Sequence, residues 1–254
     1  MDEPWLLDDR AKREVQHRLL SCFDGLASPF GHRRVDALRR LLSYLGSLAS
    51  GESSHEKASF LSLQVHEGEF NVIFRALSAL TSPNHIPPDF ISAEEYVRTF
   101  QVVEGLCLLH VDAPRQFCDL GGLELLIAVT EQCVQVATSS SREVFTNALD
   151  LLASTLAQGP AYVDNFRELE GFSVLVSLVN RKSLDNAMRA TVVSTLALLC
   201  ASNKPLLAQT VRQRLGDLMG TETIDRMLTL TKCDWEAGKE PSIEAAQKFL
   251  TTID

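Results

Sequence analysis

Glycine and proline are scarce in this chain, 13 and 9 among 254 residues. That excludes long disordered or linker segments. Of the six cysteines (Cys22, Cys107, Cys118, Cys133, Cys200, Cys233), no two stand in C-x-x-C spacing. A zinc ribbon or thioredoxin-type redox site is therefore unsupported. Most of them sit inside apolar helical patterns, which points to reduced core thiols in a cytosolic protein. No run of about 18 apolar residues occurs, so no segment is expected to span a membrane. The opening MDEPWLLDDR is acidic and lacks the basic and apolar regions of a secretory signal. Basic charge is also in deficit: the formal net charge is −9 and the pI about 5.2. Nucleic acid and anionic membranes call for the opposite sign.

Catalytic motifs are missing as well. The histidines (His17, His32, His55, His66, His85, His110) do not cluster. His66-Glu67 lacks the second His of a zinc-binding H-E-x-x-H helix. There is no G-x-S-x-G elbow and no P-loop; Gly121-Gly122 falls between helices without a preceding strand. Carboxylate pairs such as Glu94-Glu95 and Glu168/Glu170 read as helix starts and solvated faces. The expectation is no catalytic, metal-binding or cofactor-binding residue, and not an enzyme.

What is abundant is leucine at helical spacing. After a loose acidic lead over 1–10, the period predicts a helix over Ala11–Phe23 and, past Ser28–His32, another over Arg33–Leu48. Arg33, Arg34, Arg39 and Arg40 are expected on that helix's solvated face, the alternative being a small basic patch. Gly51–Lys57 reads as a loop. Gly68 divides Phe60–Leu80 into two helices, and Thr81–Phe90, with Pro83, Pro87 and Pro88, is a loop. Ser92 with Glu95 reads as a capping box, as does Ser140 with Glu143. Val144–Leu156 and Ala187–Cys200 are long helices. Pro205–Leu215, Glu222–Leu230 and Ser242–Leu250 close the chain, with Trp235 in the last loop. No strand-like alternation is found.

One stretch occurs twice. QFCDLGGLELLIAV (116–129) and NFRELEGFSVLVSLV (165–179) align Phe117 with Phe166 and Gly122 with Gly171, each pair 49 apart. Short helix, Gly turn, apolar helix at fixed spacing marks stacked helical repeats. Each Gly is expected to take φ > 0 where one helix stops and the next starts. The fold class that follows is all-α: an armadillo/HEAT-like right-handed superhelical solenoid of about four three-helix repeats with irregular caps. Residues 11–254 form one domain, with core repeats over about 58–204 and capping helices over 205–252. Such a chain is a binder. The polar candidates on its inferred groove are Gln101, Glu104, Asn147, Asp150 and Arg189. Importin-like repeats carry a Trp and an Asn four residues apart on the third helix. The matching positions here hold Gln101 and Gly105, then Asp150 and Ser154, so that peptide clamp is missing.

A succession of motifs goes further: FLSLQ (60–64), EFNVIFRALSAL (69–80), VVEGLCLLHVDAPRQF (102–117), ALDLL (148–152), FRELEGFSVLVSL (166–178) and MRATVVSTLALL (188–199). In order and spacing it resembles the cell division control protein family of the septation initiation network, the armadillo-like subunit and not the phosphatase of the same name. The resemblance implies a non-catalytic subunit that binds and activates a germinal-centre-type Ser/Thr protein kinase in mitotic exit, septation and cytokinesis. It implies a cytoplasmic protein at the spindle pole body or centrosome. On the family's matching positions Gln64, Asn71, Arg75 and Arg115 would contact the partner. The alternative is a general armadillo adaptor holding a peptide or helix of another protein. Neither reading involves nucleic acid or membrane insertion.

Overall fold

The apolar periodicity becomes fourteen helices and no strand among the described residues. In this computed structural model those residues are 4–51, 54–65, 68–81, 91–136, 138–236 and 243–253. Most of the Thr81–Phe90 loop lies outside them, as do His66, Glu67 and His85.

The chain divides into two compact units, Met1–Gly122 and Leu123–Asp254. The first contains α1 (Pro4–Leu26), α2 (Gly31–Ser50), α3 (Ser54–Leu63), α4 (Val72–Thr81), α5 (Ala93–Leu109) and α6 (Ala113–Asp119). Here α2 packs on α1 and α5, α1 also packs on α3, and α6 covers α4 and α5. Two segments expected as loops are helical. α1 begins at Pro4, inside the proposed lead, because a proline without an N–H is well suited to a first turn. α3 begins at Ser54, inside Gly51–Lys57.

The second unit takes in α7 (Gly122–Val136), α8 (Ser139–Leu156), α9 (Pro160–Glu168), α10 (Gly171–Asn180), α11 (Asn186–Cys200), α12 (Pro205–Met219), α13 (Thr221–Glu236) and α14 (Ile243–Ile253). α11 is its axis, touching α8, α10, α12, α13 and α14. Its Ala190, Val192, Val193, Leu196, Ala197 and Cys200 are fully buried. At about 2 kcal/mol for each large apolar side chain removed from water, this helix is a main source of the unit's cohesion. α13 reaches Glu236, so Trp235 stands on a helix and not in a loop.

The triad α9–α10–α11 is the armadillo-like brick: two short helices followed by a longer one. Local signals set its borders. Pro160 occupies the first turn of α9. At α5, Ser92 Oγ accepts from the Glu95 N–H at 3.3 Å and Glu95 Oε2 accepts from the Ser92 N–H at 2.8 Å, the expected box. The box at α8 is Thr138 with Ser141, two residues before the expected Ser140 and Glu143. Thr138 has extended backbone (ψ 168°), whereas Ser140 is already helical and cannot cap.

Candidate interaction surface

The duplicated stretch is held by one contact made twice. Phe117 and Phe166 are both fully buried. Each ring packs against the glycine five residues later, and a Cβ at Gly122 or Gly171 would lie only 2.2 or 2.1 Å from the nearest ring carbon. This corrects the expected reason for glycine. Gly122 and Gly171 start their helices without a positive φ; the left-handed residue is the one before, Gly121 (φ 77°) in one copy and Glu170 (φ 57°) in the other. Glycine is required at 122 and 171 by the ring and not by the backbone.

The turn from α3 to α4 uses polar atoms instead. Gln64, Asn71 and Gln116 are all nearly or wholly buried. Asn71 Nδ2 donates to Gln116 Oε1 at 2.8 Å, and Gln116 Nε2 donates to the Gln64 carbonyl at 2.8 Å. Gln64 Oε1 accepts from the Val72 N–H at 3.0 Å, and Gln64 Nε2 donates to the Phe70 carbonyl at 3.1 Å. Asn71 Oδ1 caps α4 by accepting from the Phe74 N–H at 2.8 Å. Buried amides must be bonded in this way or be costly. The three thus join α3, α4 and α6 into one piece.

These are polar residues of the motifs behind the sequence resemblance. Gln64 and Asn71, expected to meet a partner, serve the fold. So does Arg189, which is 2% exposed and donates from Nε to the Val179 carbonyl at 2.8 Å, satisfying the end of α10. The remaining candidates reach the surface. Arg75 is half-buried over the Phe23 ring, 5.5 Å from its centroid. Arg115 is exposed, 3.7 Å from Asp112. Gln101 and Glu104 stand one turn apart on α5; Gln101 accepts from Arg98 at 2.9 Å. Asn147 and Asp150 stand one turn apart on α8, where the Asn147 amide donates to the Glu143 carbonyl at 2.9 Å.

The arginine run on α2 splits. Arg34 is 2% exposed rather than solvated: its guanidinium pairs with Glu95 and donates to the Ser28 carbonyl at 2.9 Å. Glu95 therefore caps α5 and neutralises a buried arginine at once, and the capping-box signal revealed only half of that role. Arg33, Arg39 and Arg40 instead line a groove of about 660 Å³ between α1 and α2, with Ser21, Asp24 and Asp36. It adjoins a second depression of about 470 Å³ through shared Ser21 and Arg40, where His17, Arg18 and Tyr44 also contribute. Sequence reasoning raised these arginines as an alternative basic patch but not the groove between the helices. Its trace is that residues 1–50 hold eight Lys and Arg against seven Asp and Glu in a chain of net charge −9.

The ionisable interior is quiet. Burial pushes the Cys107 and Cys200 thiols up to about 12 and Cys133 up to about 11. Such thiols stay protonated and poorly reactive at neutral pH. Burial, then Glu56, pushes the Tyr44 hydroxyl up. Among the described residues no three His, Cys, Asp or Glu side chains converge as metal ligands would. No described helix is long and apolar enough to cross a membrane.

No protein-family model matches the chain, and no curated protein does. Among solved structures it is similar to a designed armadillo repeat protein, YIII(Dq)4CqI. Identity is 17% and the TM-score 0.46, over 91% of this chain and 99% of that one.

Proposed function

We propose that this chain is a protein-binding adaptor built from armadillo-like helical repeats, and that it binds its partner without chemistry of its own. The observation that carries this reading is the Phe-on-Gly turn made twice at fixed spacing. A chain assembled by repeating one brick gains surface with each copy, which is the economy of repeat binders. Gln101 and Glu104 on α5 and Asn147 on α8 are part-exposed polar side chains, and Asp150 on α8 and Arg115 on α6 are exposed. Affinity purification of the full chain followed by mass spectrometry tests the reading. A reproducible protein partner retained at near-equal stoichiometry is expected; a bare chain from every lysate would sink it.

The finer reading is a regulatory subunit of a germinal-centre-type kinase in mitotic exit and cytokinesis, working at the spindle pole body or centrosome. It rests on the motif succession between Phe60 and Leu199. The buried roles of Gln64 and Asn71 tie part of that succession to folding, so the adaptor reading has the broader support. Activation would follow if the chain favoured the kinase's active Lys–Glu arrangement. Retained partners that include no kinase would remove this finer reading and leave the adaptor intact.

A further inference from the structure

The α1–α2 groove has a charge pattern that identifies what fits it. Of the four arginines lining the groove and the depression beside it, two are already compensated. Arg39 donates to Glu94 at 2.6 Å, and Arg18 meets Glu14 at 3.0 Å and Glu56 at 3.1 Å. The other two are not: among the described residues Arg33 and Arg40 have no carboxylate within 4.0 Å. Arg40 only donates to Ser21 Oγ at 3.3 Å, and Arg33 stacks 5.7 Å from the centroid of the Phe30 ring, itself 56% exposed. Close approach of the helices shapes the floor, since a Cβ at Gly25 would lie 2.7 Å from Ala37 Cβ and 3.2 Å from Arg40.

We propose that this groove receives an extended acidic peptide segment of the protein partner, with Arg33 and Arg40 each taking one carboxylate. The proposal rests on the adaptor reading and names the chemistry of what is bound. Arg33 and Arg40 are two helical turns apart on α2, about 10 Å along its axis. A chain in the extended polyproline II form covers about 9 Å in three residues, and its three-residue turn brings the side chains at i and i+3 to the same face. The segment therefore carries Asp or Glu at positions i and i+3. Guanidinium groups suit this task, because their planar fork can hold a carboxylate through two hydrogen bonds. A membrane or nucleic acid fits less well. Both are continuous polyanions, and Asp24 and Asp36 line the same groove and would repel them, while a peptide can place its charges between.

The test is fluorescence anisotropy on the full chain at low salt, with labelled 12-residue peptides. One bears Glu at i and i+3 in a Gly/Ser background, one bears the two Glu side by side, and one bears Lys in place of Glu. The spaced Glu peptide should bind at least tenfold tighter than the Lys peptide and several-fold tighter than the adjacent-Glu peptide. Arg33→Glu with Arg40→Glu should abolish at least tenfold of that affinity. Arg226→Glu with Lys248→Glu, the same charge change on α13 and α14, should alter it less than twofold. Should the reversal perturb folding by circular dichroism, Arg33→Gln with Arg40→Gln should still lose at least threefold. Equal losses in both pairs, no preference for Glu, or tighter binding to phosphatidylserine vesicles than to the peptide would overturn the proposal. Peptide binding that persists when no partner copurifies would leave the groove standing and count against the adaptor reading alone.

Discussion

Between α9 and α10 the chain reverses on an apolar contact, the Phe166 ring against the bare backbone of Gly171. Between α3 and α4 it reverses around three buried amides, Gln64, Asn71 and Gln116. Both turns deliver a second helix to the core. The first relies on shape: the ring and the glycine are five residues apart, so the contact forms locally. The second adds to its local bonds two between residues 45 and 52 apart in sequence, so its polar atoms are fully satisfied only once α6 has docked. A local apolar joint should tolerate loss of its neighbours better than a joint whose polar atoms would be stranded without them.

Substitutions can break this comparison at graded depth. The largest effect is expected from Phe166→Ala, which removes a fully buried ring and should cost about 3–5 kcal/mol in urea unfolding. Asn71→Ala should follow at about 3 kcal/mol, since it strands the Phe74 N–H and Gln116 Oε1. An effect below about 1 kcal/mol would mean that the amides are incidental. Gly171→Ala should cost about 2 kcal/mol by overpacking against Phe166, although alanine is the better helix former. A double-mutant cycle of Asn71→Ala with Gln116→Ala should show coupling of about 1 kcal/mol; strict additivity would dissolve the network into separate bonds. The smallest change has the opposite sign. Glu170→Gly should stabilise the chain by about 0.5 kcal/mol, because relief of a left-handed backbone of about 1–2 kcal/mol exceeds the extra entropy of glycine in the unfolded chain.

Much of this was legible in the chain itself. The Phe117 and Phe166 copies, the Gly68 break, the Ser92–Glu95 box and the all-helical class follow from periodicity and local chemistry, which act over a few residues. The second capping box was misplaced by two residues because Thr138 and Ser140 offer the same hydroxyl chemistry, and only the backbone decides which one lies outside the helix. The site was less legible. Gln64, Asn71 and Arg189 look like surface residues by composition, yet all three are buried. Arg34 and Arg33 are neighbours with the same side chain, one in the core and one on a groove.

The sequence by itself determined where helices form and which faces are apolar, since those depend on propensity, spacing and caps within a few turns. Tertiary structure alone decided the fate of the polar side chains. Whether an arginine or an amide is a contact for others or a bond within the fold depends on what a residue some fifty positions away places beside it, as Glu95 does for Arg34 and Gln116 for Asn71.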